Sequence, residues 1–158
     1  EAADSLYKAA GKLTDTSASK SLFKKADKVT NDITSAVKDY VKNYNSLIEE
    51  AADTTNSKVT GKVSFMTGQA NAYKSSLEKV GITINSDKTL SIDEDTFKKS
   101  DISDVKKLFN GSGSMAYQTF VRASDISSAA ENASASVTSY GADGMYNNYY
   151  NSAYNWYL

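Results

Sequence analysis

Not one proline occurs in this chain, so no residue locks its own φ or withholds an amide donor from a helix. The eight glycines are the other available breaks, and they read as punctuation between stretches whose apolar residues step by three and four. A mostly helical protein is predicted. Leu6, Tyr7, Ala9, Ala10 and Leu13 predict a short helix, weakened by Gly11, at the edge of a bundle. From about Ser21 to Ala52 the apolar positions Leu22, Ala26, Val29, Ile33, Val37, Tyr40, Tyr44, Leu47 and Ala51 line one face and predict the longest helix. Thr54, Thr55 and Asn56 supply a turn. Val59, Val63, Met66, Ala70, Tyr73, Leu77 and Val80 then repeat by four and three, with Gly81 as a C-terminal cap. A seam that narrow needs a partner, and the short link makes antiparallel pairing of these two helices economical.

Beyond Gly81 the period switches to alternation. Ile82 and Ile84, then Leu90 and Ile92, predict a β-hairpin at about residues 82–92 whose apolar face must lie on the helices to be stable. Asp93 and Asp101 stand where they would cap two short helices, the first carrying Phe97 and the second Val105, Leu108 and Phe109. Asn110–Ser114 is a link, and Met115, Phe120, Ala123, Ile126, Ala130, Ala133 and Val137 predict a further helix ending before Gly141.

Function classes fall away on residue types. The chain has no His and no Cys, which removes the common proton shuttle, thiolate chemistry and zinc–thiolate sites. Its 18 basic residues are balanced by 19 acidic ones, and Arg122 is the single arginine, so nucleic acid is not an expected partner. No apolar run approaches the ~20 residues of a membrane span. The chain opens on Glu1 rather than Met, as a trimmed chain does.

Three local patterns invite chemistry and are better read as structure. Asn85, Asp87, Thr89 and Asp93 fall at calcium-loop positions, but Leu90 stands where a glycine must turn the loop and Thr96 where a bidentate Glu must close it. Asp93, Glu94 and Asp95, like Glu49 and Glu50, are adjacent acids with nothing to set two of them across a cleft. Gly111-Ser112-Gly113 lacks the preceding strand and the Lys of a phosphate loop. No catalytic, cofactor or metal residue is assigned.

The segment Met145–Leu158 differs from the rest, with five Tyr, four Asn and one Trp in fourteen residues. Tyr146, Tyr149, Tyr150, Ala153, Tyr154 and Tyr157 gather on one side of a helix, the asparagines lie opposite, and Trp156 stands off the stripe. Aromatics with polar tips suit a surface that is apolar on one side and wet on the other. Docking on the chain's own bundle and contact with another molecule both fit.

The order of elements carries a resemblance. VKDYVKNYNSLIEE (Val37 to Glu50) is followed, after a second helix, by LEKVGITINSDKTLSIDEDTFKKSDISDVKKLF (Leu77 to Phe109). A Val-x-x-Tyr-Asn-x-Leu helix, a leucine-glycine-isoleucine hairpin, an acidic short helix and a closing V-x-x-LF in this order resemble the flagellar filament cap (hook-associated) protein family. The resemblance spans about residues 29–112; residues 1–28 and the tyrosine-rich end stand outside it. It implies an exported, extracellular structural protein of the bacterial flagellum or cell surface, packing against protein subunits, either copies of itself as a homo-oligomer or filament-type proteins.

The fold class expected is therefore mainly α, an elongated antiparallel helical bundle with coiled-coil-like seams and a small β-hairpin. Residues 1–139 form the bundle domain, and residues 140–158 a helical, docked segment. The expected function is non-catalytic and structural, with Tyr146, Tyr149, Tyr150, Tyr154, Trp156 and Tyr157 as interaction residues. The rival reading is a secreted module that binds carbohydrate or a protein through that same segment.

Overall fold

The computed structural model describes residues 1–17 and 19–138. In chain order it contains α1 (Ala2–Thr14), α2 (Asn31–Ala52), α3 (Ser57–Ala70), a 3₁₀ turn (Asn71–Tyr73), α4 (Lys74–Lys79), β1 (Ile82–Ile84), β2 (Leu90–Ile92), α5 (Glu94–Lys99), α6 (Ile102–Phe109) and α7 (Met115–Thr138). The protein is mainly helical with one two-stranded antiparallel hairpin, the class its sequence predicts.

The helix partners differ from those expected. α7 packs on α1 and on α3, and α2 packs chiefly on α1, so α2 and α3 do not zip into a pair along their lengths. α1 is core rather than edge: Leu6, Ala10 and Leu13 are fully buried, and Tyr7 stacks on Phe120 of α7 with ring centroids 4.3 Å apart. Gly11 makes that approach feasible, since a Cβ there would lie 3.2 Å from the Phe120 ring. Gly61 and Gly68 also sit inside a helix rather than between helices.

Two predicted helices are shorter than their periodicity suggested. The helix expected from Ser21 begins at Asn31, because the Thr30 hydroxyl accepts the Ile33 amide at 3.2 Å and starts the ladder there. Leu22, Phe23, Ala26 and Val29 still face the core, but from irregular chain, and the Ala26 carbonyl is taken by the Lys106 ammonium at 2.8 Å. The helix expected over Val59–Val80 breaks at the 3₁₀ turn, which follows Gly68 closely and begins on Asn71, both poor helix formers. Its seam has two partners: Val59, Val63, Met66 and Ala70 lie on the helix that meets α7, whereas Leu77 and Val80 flank the end that meets β1 and α6. A straight rod could not serve both.

The hairpin pairs Ile82 with Ile92 and Ile84 with Leu90, and its inward residues Ile82 and Leu90 are buried. Leu90 occupies a position whose amide and carbonyl point away from β1. Asn45 of α2 satisfies both, donating from Nδ2 to the Leu90 carbonyl at 2.9 Å and accepting the Leu90 amide on Oδ1 at 2.7 Å. One side-chain amide thus does what a third strand would do. At the other end Gly81 turns the chain with φ +76°, and its carbonyl accepts the Asp93 amide at 2.8 Å. Asp93 and Asp101 cap α5 and α6 as predicted, accepting Thr96 N–H at 3.1 Å and Ser103 N–H at 2.7 Å.

Two buried tyrosines on α2 differ in one bond. The Tyr40 hydroxyl pairs with Thr119 Oγ1 of α7 at 2.8 Å, while the Tyr44 hydroxyl has no partner among the described residues. Burial pushes both hydroxyls well above the ordinary phenol range, so both stay neutral. Tyr40→Phe strands the Thr119 hydroxyl and is expected to cost about 1–2 kcal/mol, whereas Tyr44→Phe removes an orphan and is expected to leave stability unchanged or raise it by about 1 kcal/mol. Urea unfolding midpoints of the two variants read this directly.

Candidate functional site

The residues predicted to carry interaction, Tyr146, Tyr149, Tyr150, Tyr154, Trp156 and Tyr157, lie outside the described residues, as does the segment from residue 140 onward. The acidic stretch lies within them and is engaged in local structure. Asp87 accepts the Thr89 amide at 3.0 Å, Asn85 donates to Thr89 and Ser91, and Asp93 caps α5. Hydrogen bonds from Thr89, Thr96 and Ser103 hold the Asp87, Asp93 and Asp101 carboxyls below their ordinary range. Glu94, bridged to Lys38 and Lys98 at 2.7 Å each, is pulled down to about 2. Carboxyls tuned this way stay ionised at neutral pH, the opposite of what a general acid requires. Glu50, one of the paired acids, accepts the Ala2 amide at 3.0 Å. Among the described residues no three His, Cys, Asp or Glu gather as a metal site would need.

What the sequence reading missed is the outer face of α3. Phe65 is 55% exposed, more than any other large apolar side chain described. Gly61 lies one turn before it and Gly68 one turn after, and nothing stands within 4 Å of a Cβ built on either. Each glycine costs a helix interior roughly 1 kcal/mol relative to alanine, and here no internal packing recovers it. Phe65 is held in place. The Arg122 guanidinium of α7 lies 4.8 Å from the ring centroid, and Arg122 is itself positioned by Gln69 Oε1 at 3.2 Å and Asp125 Oδ2 at 3.3 Å. The result is an oriented aromatic knob with bare backbone above and below, beside a shallow hollow of about 420 Å³ that Lys58 and Lys62 also line. A helix from another molecule can approach such a face closely. The signal was present in the sequence: Phe65 stands off the Val59–Val63–Met66–Ala70 register, with Gly at −4 and +3.

A second concavity lies at one end of the bundle, where the start of α1, the end of α2, the start of α3 and the distal half of α7 meet. It is an open groove of about 700 Å³. Leu47, Ala51, Val59 and Ile126 form its apolar floor, and Asp4, Glu50 and Glu131 stand at its rim with no Lys or Arg among the lining residues. No described helix is long and apolar enough to cross a membrane.

Compared with known families, the chain matches the sequence profile of the flagellar hook-associated protein 2 C-terminus over residues 58–155. The match overlaps the resemblance noted above over residues 58–112 and continues through α7 into the tyrosine-rich segment. No curated protein and no solved structure matched the chain.

Proposed function

Because the chain belongs to the family of the flagellar hook-associated protein 2 C-terminus, a family with a cap-like structural role, we propose that it is a non-catalytic building block that packs against other subunits at the filament tip, outside the cell. Its partners are copies of itself or filament-type subunits. The observation that carries this reading is the Phe65 face: an exposed aromatic, oriented by Arg122 and flanked by two glycines that internal packing does not use. Placing an apolar knob in water on a helix with cleared sides is a cost to the monomer that an intermolecular contact offsets. The aromatic stripe from Tyr146 to Tyr157 and Trp156 is a second interacting element in this reading.

Sedimentation velocity over a range of concentrations, alone and mixed with filament subunits, tests it. Wild-type chain is expected to form larger species in at least one of the two conditions. Phe65→Ser and Gly61→Leu, both on an exposed face, are expected to weaken that association about tenfold or more while leaving the circular dichroism unchanged. A chain that sediments as a monomer throughout, or variants that associate like the wild type, would overturn the reading. Binding of a glycan array through Trp156 by a strictly monomeric chain would favour the carbohydrate-binding alternative instead.

A further inference from the structure

Given the assembly reading above, on which this inference rests, we propose that the Phe65 face receives an acidic helix of a subunit other than a second copy of this chain. Two carboxylates of that helix, one turn apart, meet Lys58 and Lys62. Charge points to this partner. Residues 54–77 contain no Asp or Glu and three Lys, Lys58, Lys62 and Lys74, so the stretch is +3 in a chain whose formal net charge is -1. α3 lies wholly inside it and has no acid in its first turn, where the helix N-terminus adds positive potential to that of Lys58. Around the hollow the charges are not equivalent. Asp125 is taken by Arg122 at 3.3 Å, and the guanidinium stays over the Phe65 ring. Lys58 and Lys62 are exposed and have no ion-pair partner among the described residues. Two ammoniums are left uncompensated.

Their spacing asks for a helix. Lys58 and Lys62 line the hollow one turn apart, and Phe65 lies three residues further on the same side, about 10 Å along the axis from Lys58. A helix with Asp or Glu at i and i+4 and a small aliphatic side chain one turn on matches all three positions, and the bare backbone at Gly61 and Gly68 lets it come close. A second copy has no such strip to offer. No described helix carries two Asp or Glu three or four residues apart within its length. The nearest spacings, Glu49 or Glu50 with Asp53, Glu1 with Asp4 and Asp101 with Asp104, each use a residue beyond the helix end. Of these, Asp4, Asp101 and Asp104 already accept Ser127, Ser103 and Lys107. Two copies meeting by the Phe65 face itself would bring four ammoniums together with no free carboxylate between them, which opposes that contact.

Fluorescence anisotropy of a labelled synthetic peptide tests this on the full chain. The probe is an alanine-rich helix with Glu at i and i+4 and Leu at i+7, beside the same peptide with Gln for Glu and a scrambled peptide of the same composition. The Glu peptide is expected to bind at least about tenfold tighter than either control, and about fivefold or more weaker at about 0.5 M than at about 0.05 M NaCl. Lys58→Glu combined with Lys62→Glu is expected to lose the Glu peptide and to gain a peptide carrying Lys in its place, a gain that only a folded chain can show. No binding of the Glu peptide, equal binding of all three, or unchanged binding by the double variant would each overturn the proposal. So would binding of phosphatidylglycerol vesicles in place of the peptide, or self-association of the chain alone that the double variant abolishes. Sedimentation separates this proposal from the reading beneath it. If Phe65→Ser weakens association and the double variant does not, the assembly face stands and the acidic partner falls; if Phe65→Ser changes nothing, both fall.

Discussion

Asn45→Leu is expected to lower the unfolding free energy by about 2–4 kcal/mol, because it strands two backbone groups of one buried residue at once. The Leu90 amide and carbonyl point away from the hairpin partner, and Asn45 is their partner at 2.7 and 2.9 Å. Leucine is close in size, so the loss reports hydrogen bonding more than volume. Asn45→Asp separates the two bonds. Its carboxylate still accepts the amide but faces the carbonyl with no proton to give, so the charged form is disfavoured and the folded-state pKa of that Asp rises. A group whose folded pKa is raised contributes most below its unfolded pKa and loses that contribution as pH rises. The Asp variant should therefore lie nearer to the wild type at pH 4 than at pH 7, while Asn45→Leu should show the same deficit at both. Urea melts at the two pH values measure this.

Gly81→Ala is expected to be as costly, for steric reasons. A left-handed φ costs an L-residue roughly 1–2 kcal/mol, and Gly81 sits at +76°. A Cβ there would also lie 2.8 Å from Thr96 Cβ, 2.9 Å from Thr96 Cγ2 and 3.1 Å from the Asp93 carbonyl oxygen, so α5 must move. Overpacking of this kind adds about 1–3 kcal/mol. Gly81→Asn tolerates the backbone angle better but keeps the clash, and should recover only part of the loss. Calorimetric Tm values for Gly81→Ala and Gly81→Asn would separate the two contributions. Thr96→Ala in the Gly81→Ala background relieves only the Cγ2 contact, so its recovery should be small.

These two residues show what the sequence made legible and what it did not. Gly81 was readable as a cap because glycine after a periodic run has one common cause; that it also packs under α5 was not, since Thr96 is fifteen residues away. The Val-x-x-Tyr-Asn-x-Leu helix pointed to a family, yet nothing in local pattern said that its Asn45 completes the hairpin. The hairpin, the caps Asp93 and Asp101, the bounds of α6 and the start of α7 follow from short-range chemistry. Helix partnership did not. Apolar periodicity marks which face is buried but not against what: it pairs the seam of α2 with α3, whereas the main partner of α2 is α1. The same ambiguity let Leu22, Ala26 and Val29 pass for helix: irregular chain can bury residues at spacings of three and four. Phe65 stands off the Val59–Val63–Met66–Ala70 register, and a residue off the register is where a surface with an external partner shows itself.

The most direct test of that surface uses one cysteine. A chain carrying only Lys62→Cys, which keeps Phe65 and lines the same hollow, is oxidised under conditions in which the wild type associates and is expected to yield cross-linked pairs, with itself or with a filament subunit bearing a single surface cysteine. A single cysteine at the exposed position Lys99 of α5 is expected to yield few. Equal cross-linking from both positions, or none from residue 62 while the chain is associated, would contradict the assignment of the α3 face as the assembly surface.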